Sequence, residues 1–320
     1  MNKFSITSNE AKLFKHLGHL EQIQQKKAGP MMVVVSPTNK CNANCVHCCF
    51  SDRDKHLELD FEELKESLRQ FKELGVKGVE LAGGGEPTLY YKIEELIIYV
   101  TETLGLKLGM NTNGLALSKI KNVNKFEWIR LSLNFIDSST TPEKIKEIED
   151  TVKRIKEGTN VTACYVVSKE LGTINLDKVV EFADRNNLFT RIAPDCVQPK
   201  VDIEKLINNI KADLRPSENC FCSDFNVFLE DRPENFCAEH YIKPLLFTDG
   251  FIYTCPSFEL AVENGKDVKD TFKICKGTDV LEYYQNNFQT FNHTCSYCKY
   301  AKQNELLYYI LQETEFNEFV

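Results

Sequence analysis

The sequence predicts an α/β fold, a partial (β/α)6 barrel of parallel strands followed by a small C-terminal cysteine-rich domain. Strand and helix patterns alternate six times between residues 31 and 199, this alternation stops after Pro199, and cysteines concentrate towards the end of the chain. Repeated strand–helix units imply a parallel sheet with right-handed crossovers, and six units are too few for a closed eight-unit barrel. A doubly wound open sheet is the alternative that this pattern leaves open.

The first unit starts with a short β-branched strand at residues 31–35, after a polar helical stretch that Gly29-Pro30 ends. A helix then runs from Asp60, which can cap it, to Gly75, which can stop it. The other predicted strands are residues 77–82, 106–110, 128–134, 161–167 and 189–193. The other predicted helices are 93–104, a short one near Leu117, 142–157 and 176–186.

These elements divide the chain into four predicted parts. They are a helical extension (1–30), the barrel (31–199), a mixed polar connecting segment (200–236) and a cysteine-rich domain (237–320). Within the last part, Asp249-Gly250 between apolar flanks predicts a hairpin, and Glu305 to Val320 has the pattern of an amphipathic helix.

Composition excludes several classes of protein. The chain has 320 residues, of which 42% are hydrophobic and 27% charged, as in soluble globular proteins. No apolar run approaches the ~20 residues that span a bilayer, and the first ten residues lack the pattern of a signal peptide, so we expect a cytoplasmic protein without a membrane partner. The net charge of −8, without a basic block, gives no strong signal for nucleic acid. Thirteen cysteines in such a chain favour metal or redox sites over disulfides.

Three of these cysteines, Cys41, Cys45 and Cys48, follow directly after the first predicted strand. Loops at the ends of parallel strands converge on one edge of the sheet, where sites are built. Three thiolates on one loop can bind three irons of a 4Fe–4S cluster and leave the fourth iron to a small molecule. A zinc site with His47 as the fourth ligand is the alternative.

The Cys-x3-Cys-x2-Cys loop resembles that of the radical S-adenosylmethionine (SAM) enzymes, and Gly83-Gly84-Gly85-Glu86-Pro87, after the second strand, resembles their GGE segment. The resemblance implies a TIM-like barrel in which SAM coordinates the open iron. It also implies reductive cleavage of SAM to a 5′-deoxyadenosyl radical, which takes a hydrogen atom from the substrate. The residues implied at the SAM site are Gly84, Gly85, Glu86, Asn111, Asn113, Ser132, Asn134 and His47. For the strand-end residues, satisfying backbone amides is an equally good interpretation.

Cys237, Cys255, Cys295 and Cys298 form a second set of four thiols around the predicted hairpin and before the last helix. Their spacing resembles the twitch extension of some radical SAM enzymes, a shortened form of the SPASM extension, which implies an auxiliary 4Fe–4S cluster. A structural zinc site with four thiolate ligands is the alternative.

Among the remaining cysteines, Cys196 follows the sixth strand, where its thiol could return a hydrogen atom to a substrate radical. Cys220 and Cys222 are candidates for substitute cluster ligands or a local redox pair. The resemblance implies a substrate that is a peptide residue or a small metabolite or nucleotide, and a flavodoxin or ferredoxin as electron donor. A non-catalytic iron–sulfur or zinc protein is the third hypothesis.

Overall fold

The computed structural model describes residues 10–137, 140–223, 233–258, 262–263, 266–267, 269–293, 295 and 298–313. The strands of the barrel are β1 (Met32–Val35), β2 (Gly78–Leu81), β3 (Lys107–Thr112), β4 (Trp128–Ser132), β5 (Asn160–Val167), β6 (Thr190–Pro194) and β7 (Cys220–Cys222). The helices are α1 (Leu17–Gln24), α2 (Phe61–Glu73), α3 (Ile93–Ile98), α4 (Pro142–Ile155), α5 (Leu176–Arg185), α6 (Lys200–Asp213), α7 (Val280–Asn286) and α8 (Ala301–Leu311).

Strands β1 to β7 are parallel and adjacent in chain order, which confirms the predicted α/β class with a mostly parallel sheet. Their apolar side chains alternate, as on β4, where Ile129 and Leu131 pack in the main core. The helices cover that face of the sheet, and Asp60 caps α2 by accepting hydrogen bonds from two backbone amides of its first turn. The alternate residues of each strand face the interior of the barrel.

The remaining strands belong to the cysteine-rich part of the chain: β8 (Phe236–Cys237), β9 (Leu245–Leu246), β10 (Phe251–Tyr253), β11 (Val262–Glu263), β12 (Lys266–Asp267), β13 (Lys273–Lys276) and β14 (Phe291–Asn292). Strand β9 pairs in parallel with β1, and β10 returns antiparallel to β9 through a turn at Gly250, whose φ is +80°. The predicted hairpin is therefore present. It extends the barrel sheet on the β1 side and brings the second set of cysteines to the barrel.

The described part of the predicted connecting segment contains regular structure. Helix α6 and the short parallel strand β7 lie between residues 200 and 222, and β7 adds a seventh strand to the barrel sheet. Ile203, Leu206 and Ile210 give α6 a buried stripe, but β7 has three residues, too few for its own periodic signal. Cys220 packs against α5 as a small buried side chain.

The ends of the chain match the predicted patterns in part. A 3-10 helix (Glu10–His16) and α1 form the N-terminal extension, and α8 ends at Leu311. The predicted helical residues 314–320, like residues 1–9 of the extension, lie outside the described residues. The boundaries of the four parts remain predictions. Among the residues that the structure describes, no helix is both long and apolar enough to cross a bilayer.

Candidate active site

The first three cysteines lie on the loop that follows the carboxyl end of β1, and all three are half-buried. Arg53, further along this loop, holds it in shape: its Nε donates to the Asn39 carbonyl at 2.8 Å, and its Nη1 lies 3.5 Å from Cys48 Sγ. The backbone amide of Ala43 lies 3.5 Å from Cys41 Sγ. Donors directed at sulfur stabilise thiolates, which is the state that binds iron.

The glycine loop after β2 packs directly on the start of the cysteine loop. The amide of Gly85 donates to the Thr38 carbonyl at 2.8 Å, and the amide of Glu86 donates to the Lys40 carbonyl at 2.7 Å. A Cβ on Gly85 would lie 2.1 Å from the Lys40 carbonyl oxygen. Gly84 adopts φ +54°, and a Cβ there would lie 2.2 Å from Ser36 Oγ. Glycine is therefore required because two backbones meet at this point.

The carboxylate of Glu86 is buried and connects the ends of β2 and β3. Its Oε1 accepts from Thr88 N (3.1 Å), Thr88 Oγ1 (2.7 Å) and Thr112 Oγ1 (2.6 Å), and its Oε2 accepts from the amide of Asn113 at 2.7 Å. Burial raises the pKa of Glu86, and these hydrogen bonds oppose the rise. Oε2 retains capacity for one further donor, such as an ammonium group.

The two asparagines at the end of β3 have different neighbours. The side chain of Asn113 donates to Asn42 Oδ1 at 2.8 Å and lies 3.8 Å from Cys41 Sγ, so it touches the cysteine loop. Asn111 points into the barrel, where its Nδ2 donates to Glu80 Oε1 at 2.7 Å. Of this pair, Asn113 is the one that the structure brings to the first set of cysteines.

At the end of β4, the amide of Asn134 is occupied by the neighbouring strand. Its Nδ2 donates to the Val166 carbonyl at 2.8 Å, and its Oδ1 accepts from the Val166 amide at 3.1 Å. Ser132 Oγ donates to the same Oδ1 at 3.3 Å. These contacts fit the interpretation that Ser132 and Asn134 satisfy polar groups at the strand ends. A contact of either residue with SAM remains a prediction.

His47 lies on the cysteine loop with a buried Nδ1 that has no hydrogen-bond partner. Burial lowers its pKa, while Asp195 and Asp137 oppose this shift from the ends of β6 and β4. The ring is therefore neutral, with one polar atom available to a ligand. An unpartnered buried polar atom fits a loop that receives a cofactor.

The three thiols of the loop influence one another. The pKa of Cys45 is raised to about 11, first by burial and then by the nearby thiols of Cys48 and Cys41. Among the described residues, no three His, Cys, Asp or Glu donors converge as they would on a single metal ion. In a 4Fe–4S cluster each thiolate binds a different iron, so the three thiols of this loop fit a cluster that has one open iron.

The four cysteines of the second set also lie near one another. Burial raises the pKa of Cys255, and Cys237, Cys295 and Cys298 raise it further. Asn304 of α8 links two parts of this set: its Nδ2 lies 3.9 Å from Cys298 Sγ, and its Oδ1 accepts from the amide that follows Cys237 at 2.7 Å.

An aromatic cluster separates the two sets of cysteines. Phe50 of the first cysteine loop packs against Phe247 of the hairpin, with ring centroids 5.6 Å apart, and against Phe258 at 6.3 Å. Cys48 and Cys295 lie against the same cluster. The cysteine-rich part of the chain is therefore packed against the loop that carries the first set.

Cys196 lies just after the carboxyl end of β6, and its thiol donates to the Pro194 carbonyl at 3.4 Å. Burial alone would lower the pKa of Lys299, but Cys196, Tyr300 and Cys49 raise it, so Lys299 is close to both thiols. The structure thus brings Cys196 towards the cysteine-rich part of the chain.

Sequence reasoning missed several residues that hold the site together. Besides Arg53 and Asn304, Thr112 donates to Glu86, and Asp137 accepts from Tyr165 at 2.6 Å. The position of Thr112, next to Asn111 at the end of a strand, was a usable signal. Arg53, Asp137 and Asn304 belong to no motif, and only the folded chain brings them to their partners.

Residues 35–183 match the family model of the radical SAM superfamily. This part of the chain is a radical SAM domain. For this part of the chain the family predicted from the two motifs is therefore confirmed, and with it the 4Fe–4S cluster and SAM that the family uses.

Several curated proteins are similar to about half of the chain. The chain is 28% identical over 169 residues to the probable GTP 3′,8-cyclase of Archaeoglobus fulgidus. The aligned residues cover 49% of this chain and 55% of that protein. It is 30% identical over 155 residues to the GTP 3′,8-cyclase of Aquifex aeolicus, 46% of this chain and 47% of that one. The chain thus spans about half the length of the curated relatives it matches.

Two solved structures share the fold over a longer part of the chain. Streptococcus suis SuiB bound to S-adenosylmethionine has a TM-score of 0.54 and 21% identity, covering 86% of this chain and 73% of SuiB. The anSMEcpe structure with bound AdoMet and the Cp18Cys peptide has a TM-score of 0.54 and 14% identity, covering 91% of this chain and 86% of that one. At these identities the similarity shows the fold alone.

Proposed function

We propose that this chain is a radical SAM enzyme that cleaves SAM reductively and removes a hydrogen atom from a carbon of its substrate. The observation that carries the proposal is the contact between the cysteine loop and the glycine loop at the carboxyl edge of the barrel. Cys41, Cys45 and Cys48 would bind three irons of the cluster, which leaves one iron for SAM. When bound, the cluster and SAM supply an electron and a 5′-deoxyadenosyl radical, which is chemistry that no amino-acid side chain provides.

The residues around this cluster would bind and orient SAM. Glu86 and the backbone of Gly84 and Gly85 would accept hydrogen bonds from its amino group, using the remaining capacity of Glu86 Oε2. Asn113 would fix the position of Cys41, and His47 would contact the adenine with its unpartnered Nδ1. Asn111, Ser132 and Asn134 would complete the site at the strand ends. The aromatic cluster around Phe50 would exclude water from one side of the site.

Cys237, Cys255, Cys295 and Cys298 would bind a second 4Fe–4S cluster. Four thiolates are the complete ligand set of such a cluster, and a structural zinc site with the same four ligands is the alternative. A cluster with four protein ligands has no open iron for the substrate, so its role would be to accept an electron or to hold this part of the chain against the barrel. Cys196 would be placed to return a hydrogen atom to a substrate radical.

The substrate we favour is a peptide residue, modified by oxidation, cross-linking or epimerisation. The shared fold with SuiB, which has been solved bound to the precursor peptide SuiA, supports this choice. The second candidate is a small metabolite or nucleotide, which the similarity to GTP 3′,8-cyclases supports. Either reaction needs an external electron donor, for which a flavodoxin or ferredoxin is the natural class of protein.

The test is anaerobic incubation of the iron-loaded chain with SAM and dithionite. Release of 5′-deoxyadenosine is expected, and its absence from a fully iron-loaded sample would favour a non-catalytic iron–sulfur protein. Candidate substrates are then turned over in deuterated solvent and analysed by mass spectrometry. Incorporation of deuterium indicates hydrogen return, as in epimerisation, whereas loss of two hydrogens indicates oxidation.

A further inference from the structure

Cys48, the third thiol of the first set, has an apolar and a charged neighbour on its own loop. Its side chain packs against the aromatic cluster, which consists of Phe50, Phe247, Tyr253 and Phe258. Arg53, five residues further along the loop, places its Nη1 3.5 Å from Cys48 Sγ. A thiolate at this position therefore meets low-polarity side chains on one side and a positive charge on another.

The ring of Phe50 fills the space between three parts of the chain. It stacks on Phe247 of the hairpin with ring planes 21° apart, and a Cβ built on Gly83 of the glycine loop would lie 3.7 Å from Phe50 Cζ. Phe258 packs edge-on against Phe247, with ring centroids 5.5 Å apart. Phe50 is 9% exposed and Phe258 is 1% exposed. This packing keeps water from the side of Cys48 that faces the aromatic cluster.

Arg53 is held by the loop that it contacts. Its Nε donates to the Asn39 carbonyl at 2.8 Å, and its Nη1 also donates to the Phe50 carbonyl, so the guanidinium group cannot turn away from Cys48 without losing these bonds. A guanidinium group stays protonated in proteins. Burial raises the pKa of the Cys45 thiol to about 11, and Arg53 opposes this rise, so its charge also acts on a second thiol of the loop.

Reduction of an iron–sulfur cluster adds one negative charge, and the surroundings of its thiolates decide how much this costs. Solvent exposure and hydrogen bonds to the sulfurs are two of the factors that set the reduction potential. Removal of water destabilises the more highly charged state, so an apolar neighbour lowers the potential. A positive charge directed at sulfur stabilises the added electron and raises the potential.

We propose that Phe50 and Arg53 set the reduction potential of the first cluster through Cys48, Phe50 by keeping water away and Arg53 by directing a positive charge at the sulfur. This inference rests on the proposed function, because it assumes that Cys41, Cys45 and Cys48 bind that cluster. The step concerned is the arrival of one electron from the external donor, in which no bond forms or breaks and no proton moves. Phe50 makes the reduced site a stronger reductant towards SAM, and Arg53 keeps it within reach of the donor.

The experiment is a redox titration of the anaerobic, iron-loaded chain, followed by electron paramagnetic resonance. The signal that changes when SAM is added reports the first cluster. Arg53→Met should lower the equilibrium constant for its reduction about 10-fold, equivalent to ~59 mV for one electron, since a hydrogen bond to a charged group contributes that much. Phe50→Ser admits water and should raise the midpoint potential. Arg53→Gln, which keeps a donor, and Phe50→Leu, which keeps an apolar side chain, should shift it in the same two directions by less.

The matched control is Phe61→Ser, the same change at a half-buried ring outside the aromatic cluster, which should titrate like the wild type. A second readout separates water from charge. Pulsed electron paramagnetic resonance in deuterated water should show stronger deuterium coupling to the first cluster in Phe50→Ser and no increase in Arg53→Met. Iron content and circular dichroism show that each variant is loaded and folded.

The opposite signs distinguish this inference from a merely structural role of the two residues. If the loaded variants shift in the same direction, or keep the potential of the wild type, the assignment of Phe50 and Arg53 is wrong and the proposed function stands. If the wild type has no signal that responds to SAM, the proposed function fails as well. If Phe50→Ser or Arg53→Met does not assemble the first cluster, Phe50→Leu and Arg53→Gln decide, and the potential of the wild type in both would overturn the inference.

Discussion

Replacing Gly85 by alanine tests whether the glycine loop and the cysteine loop are one structural unit. The added Cβ would lie 2.1 Å from the Lys40 carbonyl oxygen and 2.5 Å from the Asn39 carbonyl carbon. Ordinary contacts begin near 3.4 Å, so the backbone next to Cys41 must move by more than about 1 Å. Overpacking of this kind costs about 1–3 kcal/mol, and loss of the two backbone hydrogen bonds between the loops costs about 1 kcal/mol each.

The expected result for Gly85→Ala is a chain that is less stable by about 3–5 kcal/mol and assembles the first cluster poorly. Urea unfolding measures the first quantity, and iron content with the electron paramagnetic resonance signal of the reduced protein measures the second. Gly78→Ala is the matched control, because a Cβ there meets its nearest atoms only at 4.0 Å. Its free energy of unfolding should equal that of the wild type or exceed it by up to about 1 kcal/mol. If Gly85→Ala binds iron and unfolds like Gly78→Ala, the reasoning about this contact is wrong.

Three further predictions concern Glu86, Cys298 and His240. In Glu86→Gln the side-chain NH2 group would face the donors that Glu86 now accepts from, so both the midpoint of thermal unfolding and the affinity for SAM should fall. If neither value changes, the proposed role of Glu86 in connecting the ends of β2 and β3 is wrong. Cys298→Ala should lose about half of the bound iron while the first cluster remains detectable, whereas loss of zinc instead would identify a structural zinc site. Burial lowers the pKa of His240 to about 3. Below pH 6.5 the unfolded chain therefore binds a proton at this residue that the folded chain does not bind. The free energy of unfolding should fall by about 1.4 kcal/mol per pH unit as the pH drops towards 4. This slope should be smaller in His240→Gln, and an equal slope in both proteins would refute the assignment.

The fold was largely predictable because its signals are local. Most strand and helix bounds between Met32 and Arg185 follow from hydrophobic period, the cap at Asp60 and the proline at the start of α4, and they agree with the structure within a few residues. The helix predicted at 93–104 is α-helical only to Ile98 and continues as a π-helix from Tyr99 to Thr103. Strand β7 was missed because three residues carry no period, and its place in the sheet depends on pairing with β6. Short strands are defined by their partners rather than by their own sequence.

The candidate site was predictable to the extent that it consists of motifs. The cysteine and glycine loops could be read from spacing, and the structure brings them into contact. The spacing did not show why Gly85 must be glycine, which is that it makes room for the cysteine loop itself. The contacts of Arg130 with Asn111 and of Arg191 with Cys164 were not predictable, because the partners are far apart in sequence and neither arginine belongs to a motif.

The central claim is that one iron of the first cluster has no protein ligand and binds SAM. Electron–nuclear double resonance on the reduced protein with SAM labelled at its amino nitrogen tests this most directly. The account predicts a hyperfine coupling between the labelled nitrogen and the cluster in the wild type, and no such coupling in Cys45→Ala. SAM that binds without any coupling to iron, or zinc in place of iron at Cys41, Cys45 and Cys48, would contradict it.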